Sequence, residues 1–362
     1  MGRQIGVGIL GANPDRGWAA RAHIPAINAS SQFALAAVAT TRTESARAAR
    51  DRFGAEHAFT DAADLARHPG VDLVVVTVKV PAHVELVTAA LDAGKHVYCE
   101  WPLTRTAAEA AALRAAAEKA GVHAAVGLQA RFAPAVARAR RMIAEGALGT
   151  VLSATLSSSR SKGSTRDVPA WTAYTYDADA GAGLVEVLGG HALDLVQHLL
   201  GPVRELTART ALRSPDHTVA ETGEAIPVSS PDHLLVAAEL EDGAVVSIHV
   251  HDGEVAQPRT RLEIAGTSGN LALVSAPETS PWAAQLQIGR LELHRSGPGE
   301  AMWRRVPLDD DAASGLPAEA ANVARLYEGL AADLSDHRER VPNFQTAQAL
   351  HALIERIPHR RR

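Results

Sequence analysis

Residues 4–25, QIGVGILGANPDRGWAARAHIP, decide the fold of the N-terminal part of the chain. The apolar run IGVGIL leads to Gly11, a polar loop follows, and then come Gly17, Trp18 and an Ala-rich stretch with helical character. A strand, a glycine turn and a helix N-terminus suit a dinucleotide pyrophosphate, because free backbone N–H groups and the helix dipole favour an anion. Asn13 stands where a strict G-x-G-x-x-G motif has glycine, so a tight turn without a ligand is the alternative.

Short apolar runs alternate with helical segments over roughly the first 130 residues. The run VDLVVVTV at 71–78 is unbroken and rich in β-branched residues, as expected for a parallel strand buried on both faces. This alternation predicts a doubly wound parallel sheet, with an N-terminal domain at 1–129. The predicted strands are 5–10, 34–41, 71–78, 95–99 and 122–128, and the predicted helices are 43–52, 82–93 and 106–120.

The pattern changes after residue 130, where longer strands and turn signals follow a predicted helix at 131–146. This change predicts an α+β domain at 130–362, built on a large, mostly antiparallel, open-faced sheet. A mobile loop is predicted at 212–230, and we expect the last two helices to pack back on the first domain. The predicted strands are 150–160, 203–211, 232–240, 244–251, 260–265 and 269–274, and the predicted helices are 184–200, 318–335 and 344–357.

Composition excludes several classes of protein. Hydrophobic residues make up 46% of the 362-residue chain and the formal net charge is −5, so it is globular without a basic field for nucleic acid. The single cysteine, Cys99, excludes an internal disulfide and a cysteine-based zinc cluster, and no HExxH motif occurs, so no metal is predicted. Without a signal peptide or an apolar run of about 18 residues, no membrane partner is expected and a cytoplasmic location follows.

Several segments in a fixed order resemble the glucose–fructose oxidoreductase/inositol dehydrogenase (Gfo/Idh/MocA) family. They span about residues 4–275 and are GILGAN, RAHIPAI, VDLVVVTVKVPAHVELVTAALDAGKHVYCEWPLT, LQARFAPAVARARRMIAEGALGTV, GGHALDLVQHLLG and LEIAGTSGNL. The resemblance implies an N-terminal Rossmann domain that binds NAD(P), and a C-terminal domain whose open sheet commonly makes oligomer contacts. A narrower likeness, in GWAARAHIPAI, VTVKVPAH, EWPL and SPDHLL, is to the branch of the fungal galactose-regulon repressor and its bacterial relatives.

The residues after the second predicted strand indicate which dinucleotide binds. NAD-binding proteins place an acid here for the ribose hydroxyls, whereas this chain has Thr40, Thr41 and Arg42, with no carboxylate before Glu44. Two hydroxyls and a guanidinium suit a 2′-phosphate, so NADP(H) is favoured over NAD(H). The alternative is that Arg42 is a solvated residue at the start of a helix.

The end of the longest buried strand carries Val78, Lys79, Pro81 and His83. Ligands of α/β sheets lie beyond the carboxyl ends of the strands, so these residues are predicted to contact the cofactor. Lys79 is also a candidate proton carrier, with a lysine that merely reaches the surface as the alternative. His83 is expected to form local hydrogen bonds at a helix start rather than to donate a proton.

Two positions depart from the pattern that the resemblance implies. Family enzymes carry Glu-Lys-Pro where this chain has Glu100, Trp101 and a proline, and the family lysine can pass a proton. Indole cannot titrate near neutral pH, so we expect Glu100 and Trp101 to contact the cofactor, with Trp101 as an apolar wall that also faces the substrate. The family proline implies a cis bond or a tight turn after position 101.

The segment LVEVLGGHALDLVQHLLG holds the candidate proton carrier His191. The family has an aspartate four residues earlier, where this chain has Val187, with Glu186 one step away. Asp194 is expected to lie beside His191 and raise its pKa by favouring the imidazolium. The alternative is a hydrogen-bonded structural histidine, and His198 is expected to be structural.

Other candidate site residues lie around these motifs. Gln129 is predicted to contact the cofactor, and Arg131 to contact the substrate. Polar residues at the end of the first strand of the second domain, including Arg160 and Lys162, either line a site or are solvated. A local aromatic cluster suits a sugar or a flat ring, with a packed loop as an equal alternative; its members are Trp171, Tyr174 and Tyr176.

Together these features predict an NAD(P)-dependent oxidoreductase, assembled as a homodimer or homotetramer. It would move a hydride between the nicotinamide and a carbonyl, alcohol or imine carbon of a small, sugar-like or cyclic substrate, with His191 as first and Lys79 as second proton carrier. Because the family lysine and aspartate are replaced by Trp101 and Val187, a dinucleotide-binding regulator without turnover is the main alternative. A redox-neutral enzyme with tightly held NAD(H) is a third.

Overall fold

The apolar runs of the first 130 residues form a six-stranded sheet in which all neighbouring strands are parallel. The computed structural model describes residues 3–276, 284–309 and 312–358. The strand order β3-β2-β1-β4-β5-β6 reverses direction between β1 and β4, as the sequence alternation predicts. The strands are β1 (Ile5–Leu10), β2 (Phe33–Ala39), β3 (His57–Phe59), β4 (Leu73–Val76), β5 (His96–Glu100) and β6 (Ala124–Gly127).

Helices connect these strands, and their ends follow from local sequence. Asp61 caps α3 by accepting from the N–H of Asp64 at 2.9 Å, and Thr106 caps α5 by accepting from the N–H of Glu109 at 3.1 Å. The helices are α1 (Ile24–Asn28), which continues a π-helical turn at Ala19–His23, α2 (Thr43–Phe53), α3 (Ala62–Arg67), α4 (His83–Asp92) and α5 (Ala107–Ala120). Neither β3 nor α3 was predicted, because both are short.

The second part of the chain contains two further helices and an eight-stranded and a three-stranded sheet. The helices are α6 (Pro134–Ala144) and α7 (Gly190–Leu200), the latter continuing a π-helical turn at Val185–Gly189. The strands are β7 (Val151–Ser159), β8 (Asp167–Val168), β9 (Val203–Ala211), β10 (Asp216–Val219), β11 (Ala225–Pro227), β12 (His233–Leu240), β13 (Val245–His251), β14 (Thr260–Gly266), β15 (Asn270–Ser275), β16 (Leu291–Ser296) and β17 (Arg304–Val306).

The larger sheet has the order β17-β16-β15-β14-β7-β13-β12-β9. Its described neighbours pair antiparallel except β7 and β13, which run parallel, so the carboxyl ends of those two strands lie side by side. The smaller sheet, β11-β10-β8, includes a hairpin within 212–230, so the prediction of an unstructured mobile loop there is wrong. β16 and β17 were also not predicted.

One face of the larger sheet is covered within the chain. Leu234 and Val236 on β12, and Ile248 and Val250 on β13, are buried there, with the π-helical turn before α7 packed against β12 and α6 against β15 and β16. The other face carries Leu235 and Val245, which are exposed.

Two further helices lie toward the C-terminal end of the chain, α8 (Ala318–Asp336) and α9 (Phe344–Ile354). α8 packs on α1 and on the π-helical turn before it, and the Tyr327 ring meets the Phe33 ring edge-on at 5.0 Å. The chain divides into two compact units, Met1–Gln129 with Asp311–Ala352, and Ala130–Asp310 with Leu353–Arg362. Among the described residues, no helix is long and apolar enough to cross a membrane.

Candidate functional site

The turn after β1 has the backbone that a dinucleotide pyrophosphate requires. Gly11 and Gly17 both have positive φ, +97° and +108°, which side-chain-bearing residues rarely adopt. A Cβ on Gly11 would lie 2.8 Å from Val78 Cγ1, so the turn packs directly on the end of β4. Around a Cβ on Gly17 there is open space within 4 Å among the described residues, so an approaching group can reach this backbone.

Asn13 and Trp18 shape the same loop in different ways. The Asn13 Oδ1 accepts from the backbone N–H groups of Asp15 and Arg16, at 2.9 and 3.2 Å, so this side chain holds the loop. The buried Trp18 Nε1 has no hydrogen-bond partner within the described part of the chain. A buried donor without a partner is costly, and together with the open Gly17 backbone it fits the phosphates of a dinucleotide.

The end of β2 presents two exposed side chains. Thr40 is occupied locally, since its hydroxyl lies 2.6 Å from the Ser45 Oγ and 3.1 Å from the carbonyl oxygen of Arg42. Thr41 and Arg42 are exposed at the start of α2, and Glu44 follows in its first turn. The geometry keeps Thr41 and Arg42 accessible to a ligand at the carboxyl edge of the sheet.

At the end of β4, Val78, Lys79 and Pro81 are accessible while His83 is buried. The two ring nitrogens of His83 lie 3.1 Å from the carbonyl oxygen of Val78 and 3.0 Å from that of Pro102, and burial lowers its pKa. His83 therefore joins the loops after β4 and β5. Its ring is enclosed by these loops, as expected for a histidine that forms local hydrogen bonds, and the expected contact with the cofactor stays a prediction.

Glu100 is the last residue of β5 and Trp101 follows it, and both contact other parts of the first unit. Glu100 Oε1 accepts from His23 Nε2 at 2.9 Å, which leaves His23 Nδ1 to accept from the Tyr327 hydroxyl at 2.9 Å. The Trp101–Pro102 bond is cis, as the resemblance implies. Trp101 is only 5% exposed, and its ring lies 4.5 Å from the ring of His351 on α9.

Gln129, after β6, is buried at 3% exposure. Its Oε1 has no hydrogen-bond partner among residues 3–276, 284–309 and 312–358. An amide oxygen left in this state is a place where a bound ligand or water completes a hydrogen bond. The expectation of a cofactor contact at Gln129 stays a prediction.

In the second unit, Asp194 pairs with Arg131 rather than with His191. The Arg131 guanidinium donates to both carboxylate oxygens of Asp194, with Nε lying 2.9 Å from Oδ2. The prediction that Asp194 raises the pKa of His191 is wrong for this reason. Arg131, predicted as a substrate contact, has its guanidinium held in this ion pair.

His191 lies buried on α7, 3% exposed, and its Nδ1 has no hydrogen-bond partner in the described part of the chain. Burial, and then the positive charge of Arg160, lower the pKa of His191 to about 3. The imidazole is therefore neutral near neutral pH, opposite to the predicted imidazolium. The pKa of His198 on the same helix is likewise lowered to about 3 by burial, with Arg131 and Arg140 adding to the effect.

A polar cluster forms where the parallel strands β7 and β13 end. The Arg160 guanidinium binds both carboxylate oxygens of Asp252, at 2.6 and 2.9 Å. Lys162 follows, with its Nζ 4.2 Å from the centroid of the Tyr176 ring, and that ring packs on His217 at 4.6 Å. Sequence reasoning left Arg160 and Lys162 as open alternatives and missed Asp252 and His217. The pairing of β7 with β13 brings Asp252 to Arg160, and β10, which pairs with β8, carries His217.

The predicted aromatic cluster divides in the structure. Trp171, Tyr174 and Tyr176 share the 3₁₀-helical run Ala170–Tyr176, with Tyr176 buried and the other two partly exposed. Burial raises the pKa of Tyr176 to about 12, so its hydroxyl is neutral. Within the described residues, no group of three or more histidines, cysteines or carboxylates could hold a metal ion.

Comparison with known proteins assigns the family. The family model described as "Oxidoreductase family, NAD-binding Rossmann fold" matches residues 5–128, and the model "Gal80p, C-terminal domain" matches residues 134–275. The D-apiose dehydrogenase of Paraburkholderia graminis is 31% identical over 323 residues, covering 86% of this chain and 79% of that protein. The chain belongs to the Gfo/Idh/MocA oxidoreductase family.

Both dehydrogenases and a repressor are similar to this member of the family. The dehydrogenase aclE of Aspergillus oryzae is 29% identical over 336 residues, covering 88% of this chain and 89% of that protein. The crystal structure of a super-repressor mutant of Gal80p from Saccharomyces cerevisiae has a TM-score of 0.85 and 26% identity, covering 98% of this chain and 95% of that one. The resemblance inferred from the sequence motifs, including the Gal80-like branch, is confirmed.

Proposed function

We propose that the protein is an NADP(H)-preferring oxidoreductase that moves a hydride between the nicotinamide and a carbonyl, alcohol or imine carbon of a small substrate. The observation that carries the proposal is the buried, neutral His191, whose Nδ1 lacks a partner among the described residues, in a family of NAD-binding oxidoreductases. A buried nitrogen without a hydrogen bond destabilises the fold, so a ligand that completes this bond is expected.

The first unit offers the residues that would hold the cofactor. The backbone around Gly11 and Gly17 and the indole N–H of Trp18 would hold the pyrophosphate, and Thr41 and Arg42 would hold the 2′-phosphate. The bound nicotinamide supplies the hydride chemistry, and the chain supplies binding and orientation.

His191 and Lys79 are the candidates to serve the substrate oxygen or nitrogen. As a neutral imidazole, His191 can accept or donate a hydrogen bond there, although its low pKa makes it a weak base. Lys79 is exposed after β4 and remains the second candidate proton carrier. Neither Trp101 nor Val187 can move a proton, so neither position can supply the proton that the family lysine or aspartate would.

Steady-state turnover tests the proposal. Wild-type protein is assayed with NADPH and with NADH against sugars, polyols, sugar acids, ketones and imines. His191→Ala should lower turnover by ~10²–10⁴-fold while cofactor affinity changes only a few-fold. His198→Ala, on the same helix and also with a lowered pKa, is the matched control and should retain turnover. The site assignment fails if neither His191→Ala nor Lys79→Ala slows a verified reaction by more than about tenfold.

A regulator without turnover is the second candidate function. Trp101 and Val187 stand where the resemblance implies a lysine and an aspartate, and the Gal80p repressor structure matches almost the whole chain. This candidate predicts tight dinucleotide binding in titrations without turnover of any substrate in the panel. Measurable turnover that His191→Ala abolishes would rule it out.

A further inference from the structure

Lys162 places an ammonium group among neutral partners at the end of β7. Its Nζ donates to the Thr175 hydroxyl at 2.6 Å and lies over the Tyr176 ring. Thr175 donates its own proton to the carbonyl oxygen of Thr172 at 2.7 Å, so its oxygen is free to accept from Lys162. The ammonium is thus fixed in position by a hydroxyl and an aromatic face.

No carboxylate of the described residues lies within ion-pairing distance of Lys162, although two carboxylates line the same recess. Both carboxylate oxygens of Asp252 accept hydrogen bonds from Arg160, at 2.6 and 2.9 Å. Asp232 accepts from His233 at 2.7 Å and from the backbone N–H groups of Arg213 and Ser214. Burial lowers the pKa of Lys162 to about 8. The protonated side chain therefore lacks a direct counter-ion among the described residues.

The recess beside Lys162 is small and partly open to solvent. Its lining combines apolar side chains with hydroxyl, imidazole and carboxylate groups, and all of its residues belong to the second unit. The lining side chains that can hydrogen-bond include Thr175, Tyr176, Ser214, His217 and Ser230. A recess with one buried ammonium and several neutral donors suits a ligand group that carries a single negative charge.

We propose that this recess binds the carboxylate end of a small hydroxylated acid, with Lys162 as its counter-ion. A carboxylate fits better than a phosphate, because the Arg160 guanidinium, whose charge acts on Lys162, already binds Asp252 in the two-pronged manner that phosphate recognition uses. That this acid is the substrate rests on the proposed oxidoreductase function; the binding site itself does not.

Lysine-selective NMR tests this site directly, since the chain contains only four lysines, Lys79, Lys95, Lys119 and Lys162. The full-length protein is labelled with ¹³Cε-lysine, and Lys162→Met, which keeps the chain length and removes the charge, assigns the Lys162 signal. The signal is followed against pH without ligand, with glycolate, with its neutral analogue ethylene glycol, and with inorganic phosphate. Lys119, exposed on α5, is the internal control.

A bound carboxylate favours the ammonium form, so saturating glycolate should raise the titration midpoint of Lys162 by about one pH unit. Ethylene glycol should leave it unchanged, and Lys119 should move in neither case. Glycolate should also raise the Tm of the wild type but not of Lys162→Met. An unmoved Lys162 midpoint, an equal shift at Lys119, or a larger shift with phosphate than with glycolate overturns the proposal.

The measurement uses protein without cofactor or turnover, so it separates the two proposals. A shifted Lys162 midpoint in a protein without turnover would support the carboxylate site and contradict the proposed oxidoreductase function. Turnover of neutral sugars with an unchanged Lys162 midpoint would support the oxidoreductase function and contradict the carboxylate site.

Discussion

Replacing Arg42 by alanine should weaken NADPH binding and leave NADH binding nearly unchanged. β2 ends at Ala39, and the Thr40 hydroxyl is already bonded locally, which leaves Thr41 and Arg42 exposed at the carboxyl edge of the sheet. No carboxylate occupies this position before Glu44, so nothing here repels a 2′-phosphate as directly as an acid at the strand end would.

The size of the effect follows from the exposure of Arg42. A hydrogen bond to a charged group contributes about 1.5–3 kcal/mol, and solvent screening at an exposed side chain favours the lower end of that range. About 1.5 kcal/mol corresponds to roughly a tenfold rise in the Kd for NADPH. NADH has no 2′-phosphate, so its Kd should change by less than about twofold.

Calorimetric titration of both cofactors into wild type, Arg42→Ala and Arg47→Ala measures this difference. Arg47 is exposed on the same helix, α2, and serves as the matched control for a lost positive charge. Raising the salt concentration should weaken the wild-type preference, because exposed charges are screened. Equal wild-type affinities for NADPH and NADH, or equal losses for both in Arg42→Ala, would refute the reasoning.

The neutral state of His191, the packing of Trp101 and the open face of the larger sheet each predict a measurable outcome. Since the pKa of His191 is lowered to about 3, the unfolded chain binds a proton that the folded chain refuses, and the free energy of unfolding should fall as pH drops below about 6.5. His191→Asn should flatten part of that slope in urea melts, and an unchanged slope would contradict it. Trp101→Lys should keep the dinucleotide Kd within about threefold, because the turn after β1 is expected to hold the cofactor; lost binding at an unchanged Tm would count against this. Light scattering at micromolar concentration should give a dimer or tetramer, since Leu235 and Val245 are 48% and 56% exposed on the open face, whereas a monomeric mass would argue against assembly.

The first sheet could be predicted because its strands are marked by burial on both faces. The run at 71–78 is read as a strand, and the structure has β4 at Leu73–Val76 within it. β3 and α3 escaped because three and six residues carry too little periodicity to distinguish them from loops. The sequence therefore predicts the elements with long hydrophobic patterns and misses the short ones, wherever they lie in the chain.

The hairpin of β10 and β11 shows where a polar composition misleads. Its segment is rich in Ser, Thr, Pro and Glu, which predicts a mobile loop. The strands nevertheless pair, and β10 also pairs with β8, next to a small apolar cluster of Val168, Tyr176 and Ile226. Two members of that cluster, Val168 and Tyr176, lie far upstream in the chain, so the composition of residues 212–230 alone cannot predict the contacts that stabilise the hairpin.

The same limit applies to the charges of the candidate site. Asp194 and His191 are one turn apart on α7, which made a contact between them the natural expectation. Arg131, 63 residues before Asp194, binds that carboxylate instead. A bidentate guanidinium outcompetes a neighbouring imidazole for a buried carboxylate, because it supplies two charged hydrogen bonds at once.

The position of Arg160 is one reason why the protonation states of His191 and Lys162 could not be predicted from sequence motifs. Its guanidinium neutralises Asp252, while its positive charge, after burial, also lowers the pKa of both His191 and Lys162. Arg160 therefore adds to the effect of burial on the pKa of His191, whereas at Lys162 its effect is opposed by that of Asp252. The matching position of His191 in the family motif specifies the side chain, but its neutral form follows first from its burial and then from Arg160, which lies beside Asp252 because β7 and β13 run parallel.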